Sequence, residues 1–320
     1  MKQLTLNKEK ASLFLINNAV SIMLFIFLIA MLFIKPTFHS WGNITNIINE
    51  FSVYGITACA MTIAIICAEF DLSASSVFSW STVLFVLCVN RFGFFPAFLI
   101  TLLCGSLMGA FNGVLVAWVK MPAFVVTLGT MTAIKGLAFV VTGAQPVNTS
   151  DPLLYAIGKF NILNGITLAP LVFLLVLIVF YILLKFTKFG RSIYATGGNY
   201  QVAFLSGINV NFSKFIIFVL LGLCASLSGI VYCSRIMAGW APYGSDLSLY
   251  CVTATVIGGT SLVGGTGGVH RTLVGLLVLG VLFNALTLLG VEGSMQRFIR
   301  GIVLIIIIML DAFANQRKKN

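Results

Sequence analysis

The stretch that decides the fold is LAPLVFLLVLIVFYILL, residues 168–184, which carries no charged side chain. A run of nearly 20 apolar residues matches the thickness of the hydrocarbon core when it is helical. It leads directly into KFTKFGRSIYATGGNYQVAFLSGINVNFSK, residues 185–214, which is basic, lacks any acidic residue and is punctuated by glycine. The pattern predicts a transmembrane helix followed by a polar connection on one face of a membrane.

The composition of the whole chain agrees with this local pattern. Of 320 residues, 59% are hydrophobic and only 8% are charged. Soluble domains carry about 25% charged residues, because their surface must be solvated. We therefore predict an all-α integral membrane protein with about ten transmembrane helices and no separate soluble domain.

Ten apolar runs are long enough to support this count. The first is interpreted as a retained helix and not as a signal peptide, because no small-residue cleavage motif follows it. The predicted spans are residues 19–34, 47–66, 72–89, 96–119, 123–141, 168–184, 215–232, 249–263, 273–289 and 298–313.

The distribution of basic residues predicts the orientation. An even number of spans places both termini on one side, and the excess of Lys and Arg in the connections marks that side as cytoplasmic. The residues expected inside are Lys2, Lys8, Lys10, Lys120, Lys185, Lys188, Arg191, Lys214, Arg271, Arg317, Lys318 and Lys319. Those expected outside are Lys35, Arg91, Lys159, Arg235 and Arg297. Because the positive charge has this topogenic role, we expect no nucleic-acid partner.

Two connections are longer than turns. Residues 142–167 form an extracytoplasmic loop with the polarity of a docking or lid segment. Residues 185–214 form the cytoplasmic connection, in which Asn199 is expected to cap a short helix, Tyr200–Leu205, that ends at Gly207. A short helix on the cytoplasmic face is a natural contact for a soluble partner.

The sequence offers no constellation for catalysis or metal binding. Its two histidines, His39 and His270, are far apart. The glycine-rich run 258–268 lacks the lysine of a phosphate-binding loop, so tight packing or a re-entrant turn explains it better. The 7 cysteines form no CxxC pair and are interpreted as small core residues.

Residues suited to packing or to a polar pathway lie within the spans. Gly105, Gly109 and Gly113 place three glycines on one helix face, which allows another backbone to approach closely, within this chain or in a second subunit. Polar residues that a solute pathway could use are Asn112, Thr127, Thr130 and Asn284. Each of the four can equally bond a neighbouring helix.

Charged residues near or within spans leave a second class of function open. Glu69 and Asp71 could handle protons, with Lys135 as a third charged group, in a transporter driven by an ion gradient. Arg300 also falls within a predicted helix and is expected near Glu292 and Arg297. An integral-membrane enzyme is the third alternative, for which no nucleophile, base or metal set is present.

Several segments, taken in order, carry a family resemblance. They are FDLS at 70–73, GAFNG at 109–113, MPAFVVTLGTM at 121–131, Gly190-Arg191 with ATGGN at 195–199 and LSGI at 205–208, GGTSL at 258–262 with GG at 264–265, and NALTLLGV at 284–291. In this arrangement the chain resembles the permease subunits of ribose-type sugar ABC importers. That family also includes arabinose, xylose, galactoside, allose and autoinducer-2 permeases.

The resemblance implies a single permease domain, residues 1–320, in the bacterial inner membrane. It implies that two permeases, identical or sister subunits, form the pore. A cytoplasmic ATPase with two nucleotide-binding domains would bind the ATP and Mg²⁺, so this chain would hold no cofactor. An extracytoplasmic binding protein would deliver the sugar.

The resemblance also assigns a role to the cytoplasmic connection. Residues 185–214 would contain the coupling helix that inserts into the ATPase. The matching positions are Gly190, Arg191, Gly197, Gly198, Asn199, Ala203 and Gly207. A bulky residue at Gly198 or Gly207 is expected to uncouple ATP hydrolysis from transport, because the backbone there is expected to need glycine.

Three positions depart from the family pattern. Glu69, Ser75 and Arg271 stand where the family usually has glycine. The resemblance leaves open which sugar is carried and which residues contact it.

Overall fold

The computed structural model describes residues 35–317 of the chain. The predicted first span, residues 19–34, lies outside the described residues, as do the basic residues near both ends, Lys2, Lys8, Lys10, Lys318 and Lys319.

The described part is helical except for one short pair of strands and the connections. A 3₁₀ turn, Pro36–His39, precedes the first helix. The helices are α1 Trp41–Ile66, α2 Ala74–Phe92, α3 Phe94–Ala117, α4 Ala123–Thr142, α5 Pro152–Lys159, α6 Leu168–Phe186, α7 Lys188–Gly198, α8 Tyr200–Leu205, α9 Val210–Ile236, α10 Leu247–Ile257, α11 Val269–Leu288 and α12 Gly293–Arg317. The strands are β1 Val147–Asn148 and β2 Ala238–Gly239, which pair antiparallel.

Seven of these helices, α1, α2, α3, α4, α6, α9 and α11, are long and apolar enough to cross a membrane. Each coincides with a predicted span, so the prediction of an all-α membrane protein is confirmed. The predicted tenth run falls within α12, a 25-residue helix that is not among the seven.

The predicted span over residues 249–263 is wrong. The helix there, α10, has 11 residues and ends at Ile257, because the glycine-rich run 258–268 turns the chain back towards α11. A helix rises 1.5 Å per residue, so α10 reaches about half of the hydrocarbon thickness. The segment before it, residues 240–246, consists mostly of turns.

Alternation of the helices gathers the connections at two opposite faces. One face carries residues 185–214, the end of α1 and the glycine-rich run, since the amide of Gly265 donates to the carbonyl of Ile66 at 2.8 Å. We call it the 185–214 face. The opposite face carries residues 142–167 and the start of α1, and we call it the 142–167 face.

The connection 142–167 is held against the bundle. The side-chain amide of Asn49 on α1 donates to Gly165 O at 2.7 Å, and its oxygen accepts from Thr167 N at 2.9 Å. Asp151 caps α5, Leu154 is fully buried, and Gly158 lies directly against the carbonyl of Ser234 at the end of α9.

The core is built around α1, which is buried along most of its length and contacts α6, α9, α10 and α11. The side chains of Ile56, Met61, Ile63 and Ile65 are fully buried. All seven cysteines are free, and six are buried, in agreement with their interpretation as small core residues.

The three-glycine face packs within this chain. A Cβ at Gly105 would lie 2.5 Å from Ser226 Cβ, and one at Gly109 would collide with the carbonyl of Phe218. On the facing helix, α9, a Cβ at Gly222 would likewise collide with the carbonyl oxygen of Gly105. Because α3 and α9 use this face on each other, the predicted option that it receives a second subunit is wrong.

Candidate functional site

The segment 185–214 forms two short helices joined at one residue. Thr187 caps α7 and accepts from Gly190 N at 3.0 Å. Asn199 ends α7 and caps α8, where its side-chain oxygen accepts from Val202 N at 3.1 Å. The predicted helix Tyr200–Leu205 is therefore confirmed at both ends, whereas α7 was not predicted.

Glycine ends α8 for a conformational reason. Gly207 has φ of +80°, in the left-handed region that side chains disfavour. Its amide donates to Phe204 O at 3.0 Å, and the amide of Ile208 donates to Ala203 O at 3.1 Å. The expectation that the backbone at Gly207 needs glycine is therefore confirmed.

The surface of α8 is apolar although it lies among basic residues. Ala203 faces inward and is buried, whereas Phe204 and Leu205 are 63% and 84% exposed. Tyr200 stacks on Phe204 with ring centroids 6.5 Å apart, and Val202 is exposed beside them. The signal for this surface in the sequence is a set of apolar side chains within a basic connection. The surface itself was not predicted.

Helix α7 is clamped against the end of α1 by close backbone contacts. A Cβ at Gly197 would collide with the carbonyl of Ile66 and lie 2.9 Å from Gly265 N. The hydroxyl of Tyr194 donates to Gly267 O at 2.9 Å. The glycine-rich run thus supports α7, so the tight packing predicted for it is present, and only the structure identified α7 as the partner.

The other glycines of this segment differ in their surroundings. A Cβ at Gly190 would collide with the carbonyls of Leu183 and Leu184 at the end of α6. A Cβ at Gly198 would meet no atom within 4 Å, and Gly198 does not have positive φ. The expectation that the backbone of Gly198 needs glycine is therefore wrong, because the close approach occurs at Gly197. Arg191 is exposed.

An ion pair links this segment to the break between α1 and α2. Glu69, in that break, pairs with Lys214 in the first turns of α9. The Lys214 ammonium also lies 5.6 Å from the centroid of the Tyr200 ring on α8. Glu69 is thus engaged as a structural partner of the 185–214 segment.

Asp71 is buried in the same break. Its carboxylate accepts from the amide and hydroxyl of Ser73 at 2.7 and 2.6 Å, and burial raises its pKa to about 6. The hydroxyl of Ser73 accepts in turn from the side-chain amide of Asn112 at 2.8 Å. Asn112 is fully buried and therefore ties α3 to the break between α1 and α2.

The remaining predicted pathway residues are also bound to protein groups. Asn284 on α11 exchanges two amide hydrogen bonds with Asn43 on α1, at 2.8 and 2.9 Å. Thr127 and Thr130 donate to carbonyls of their own helix, α4. Thr130 also lines an open apolar groove of about 340 Å³ between α3 and α4. Within residues 35–317 no hydrogen bond joins any two of the four predicted pathway residues.

Arg300 and Lys135 both have partners in the segment just before α10. Arg300 on α12 lies 3.4 Å from the carboxylate of Asp246, and it covers the ring of Phe283 at 4.4 Å. Within residues 35–317 the ion-pair partner of Arg300 is Asp246, and the expected interface with Glu292 and Arg297 stays a prediction. The ammonium of Lys135 donates to Ser245 Oγ at 2.8 Å.

Comparison with known proteins identifies the family to which this architecture belongs. A family of membrane transport components, described as the permease component of the branched-chain amino acid transport system, matches residues 43–308. The chain belongs to this permease family. With seven apolar helices of membrane-spanning length, it is a multi-pass protein of the bacterial inner membrane.

Curated relatives of this permease are named for sugars. The ribose import permease protein RbsC of Haemophilus influenzae is 37% identical over 310 residues, which is 95% of this chain and 96% of the relative. RbsC of Bacillus subtilis is 36% identical over 90% of both chains. The L-arabinose transport system permease protein AraH of Escherichia coli K12 is 32% identical over 91% of this chain and 89% of the relative. The chain is thus a sugar-type ABC permease, as the resemblance implied, and no solved structure matches it.

Proposed function

We propose that this permease is the membrane subunit of an ATP-driven importer that carries a ribose-type monosaccharide into the cytoplasm. A second permease subunit, a cytoplasmic ATPase with two nucleotide-binding domains and an extracytoplasmic binding protein complete the assembly. ATP and Mg²⁺ belong to the ATPase. The chain acts as one domain over residues 1–320, with residues 185–214 as its coupling segment and residues 142–167 on the extracytoplasmic side.

The exposed apolar surface of α8 is the observation that carries this proposal. Phe204 and Leu205 are held at the tip of a short helix whose ends are fixed by Asn199 and Gly207. Exposed apolar side chains on a rigid helix among basic residues are typical of a docking site for a soluble protein. We assign this site to the ATPase.

The supports of α7 explain how motion of the partner would reach the membrane helices. Gly197 lies on the end of α1, Gly190 lies on the end of α6, and Lys214 binds Glu69 between α1 and α2. A displacement of α7 and α8 is therefore passed to α1, α6 and α9 as packed elements. Rigid-body movement of this kind is how closure of one domain moves another.

The contacts of the three candidate residues favour the ATP-driven importer over the alternative of an ion-gradient transporter. Glu69 forms an ion pair with Lys214, Asp71 is held by Ser73, and Lys135 donates to Ser245. The contacts of Glu69 and Lys135 link distant segments, and that of Asp71 holds the break between α1 and α2.

The test is purification of the tagged chain from its native host in mild detergent, followed by reconstitution into liposomes. We expect a protein with two nucleotide-binding domains to co-purify. Uptake of labelled D-ribose should require ATP on the side of the liposome membrane where that protein is bound. Uptake by the chain alone, driven by an imposed proton or sodium gradient, would overturn the proposal.

A further inference from the structure

A cluster of charged and tyrosine side chains lies close to the 142–167 face, apart from the four predicted pathway residues. It consists of Glu50 and Tyr54 on α1, Arg235 at the end of α9, Asp246 and Tyr250 at the start of α10, and Arg300 on α12. We call it the Glu50 cluster. Four segments that are distant in the sequence converge here, so neither spacing nor composition indicated it.

Ring contacts and charge contacts join the members of the Glu50 cluster. The rings of Tyr54 and Tyr250 lie 4.7 Å apart between centroids. The Arg300 guanidinium lies 5.5 Å from the ring of Tyr250 and 3.4 Å from the carboxylate of Asp246. Glu50 lies within electrostatic range of Arg235 and Arg300.

Much of the hydrogen-bonding capacity of the cluster is unused. Among the described residues, the hydroxyls of Tyr54 and Tyr250 and the carboxylate of Glu50 have no hydrogen-bond partner; Tyr250 is buried, Tyr54 is half-buried and Glu50 is exposed. Arg235 makes one hydrogen bond, to Asn49 O at 3.3 Å, and the Nε of Arg300 is buried without a partner. Unpaired polar groups are costly inside a membrane protein, which makes such a set a candidate ligand site.

The chemistry of these groups indicates the class of ligand. Two guanidinium groups are balanced by two carboxylates, so the six residues have no net charge, while Lys135 stands beside them on Ser245. Donors and acceptors beside aromatic rings suit a neutral ring with several hydroxyl groups, whose edges form hydrogen bonds and whose apolar face packs on an aromatic ring.

The position of the cluster indicates the stage of transport. Glu50 follows Asn49, whose side chain holds Gly165 and Thr167 of the connection 142–167. Glu50 itself is exposed. A solute that arrives at the 142–167 face therefore reaches these side chains before it reaches the middle of the bundle.

We propose that the Glu50 cluster is a monosaccharide-contacting site of this permease, at the first stage of passage from the 142–167 face. This inference rests on the proposed function, since it assumes that a sugar crosses here. Tyr54, Tyr250 and Glu50 contact the sugar hydroxyls, and Arg235 and Arg300 orient the carboxylates.

The test is uptake of labelled D-ribose by the complete complex, with its ATPase and binding protein, in proteoliposomes. Tyr54→Phe and Tyr250→Phe remove one hydroxyl each and keep the stacked rings, and Glu50→Gln removes the charge. We expect each variant to raise the sugar concentration for half-maximal uptake by about tenfold, the effect of one lost hydrogen bond. ATP hydrolysis without sugar, and recovery of the ATPase, should match the parent.

The matched control is Tyr155→Phe on α5, an exposed tyrosine at the same face but outside the cluster. It should leave uptake unchanged. If the parent takes up D-ribose and the two tyrosine variants stay within twofold of it, the sugar site is refuted while the proposed function stands. If the parent complex carries neither D-ribose nor L-arabinose, the proposed function falls and the sugar site falls with it.

Discussion

Single residues show how two neighbouring glycines can have unequal roles. Gly197 and Gly198 are adjacent in the coupling segment and equivalent by composition. Only Gly197 lies on another backbone, at the carbonyl of Ile66, whereas a Cβ at Gly198 enters open space. A methyl group at the first position therefore forces α7 away from α1.

We predict that Gly197→Ala lowers ATP-driven sugar uptake by more than about tenfold, because overpacking against backbone shifts the supported helix. Gly198→Ala is the matched control and should stay within twofold. Uptake is measured in membrane vesicles at equal amounts of chain. Equal loss in both variants would indicate instead that the partner contacts both glycines.

Asn284 was predicted as a pathway residue, and its contacts show that it also joins two helices. Its amide pairs reciprocally with that of Asn43, which also donates to Phe38 O at 2.9 Å. The two side chains satisfy each other between α1 and α11, which is the usual function of polar residues between membrane helices.

We expect Asn43→Ala and Asn284→Ala to be non-additive in thermal unfolding in detergent. Each should lower the free energy of unfolding, and the double variant should cost about 1 kcal/mol less than their sum, because both remove the same pair of bonds. Additive losses, together with a changed sugar preference in Asn284→Ala alone, would restore the pathway role.

At the scale of elements, α8 combines precise ends with an apolar tip. Asn199 and Gly207 determine where the helix begins and ends, and both effects are local in the sequence. Which of its side chains point outward depends on α7 and α9, against which Ala203 is buried.

We predict that Phe204→Ser and Leu205→Ser each reduce recovery of the ATPase in co-purification by at least about tenfold, since burial of a large apolar side chain contributes about 1.5–3 kcal/mol. Leu153→Ser on α5 is the control, an exposed leucine at the opposite face. Full recovery with both variants would refute α8 as the docking element. The amount of chain in the membrane should be equal in all three.

The short helix α10 is the element where the pattern of apolar residues was misleading. Residues 249–263 have the composition of a span, but Gly258 lies against the carbonyl of Arg271 and the chain turns back at this point. The chain turns where these two backbones approach closely, so the second half of the expected helix does not form. The glycine-rich turn that stands in its place supports α7.

For the whole molecule, the two faces of the bundle carry different kinds of contact. The 185–214 face carries the exposed apolar side chains of α8. The 142–167 face carries the connection 142–167, which is bound to α1 through Asn49, and the Glu50 cluster lies close to it. A transporter that receives energy at one face and solute at the other needs this separation.

We predict that the 185–214 face is cytoplasmic. In intact cells, a membrane-impermeant maleimide should label Lys159→Cys on α5, and should label Lys188→Cys on α7 only after permeabilisation. Both lysines are exposed, and the native cysteines give little background because six of the seven are buried. The reverse pattern of labelling would invert the orientation derived from the basic residues.

The sequence by itself determined the membrane class, the position of seven long helices, the ends of α8 and the family. These properties depend on composition, on the length of apolar runs and on caps between residues three or four apart, all of which are local. The close-packing role of Gly105, Gly109 and Gly113 was also legible from their spacing.

The tertiary structure alone decided which helix those glycines meet, that Glu69 pairs with Lys214, and that the Glu50 cluster exists. An unpaired polar side chain inside the bundle is costly, and the partner that pairs with it comes from whichever segment lies alongside. Because Asn112, Asn284 and Arg300 found theirs on distant segments, no spacing in the sequence separated structural polar residues from residues free to meet a solute.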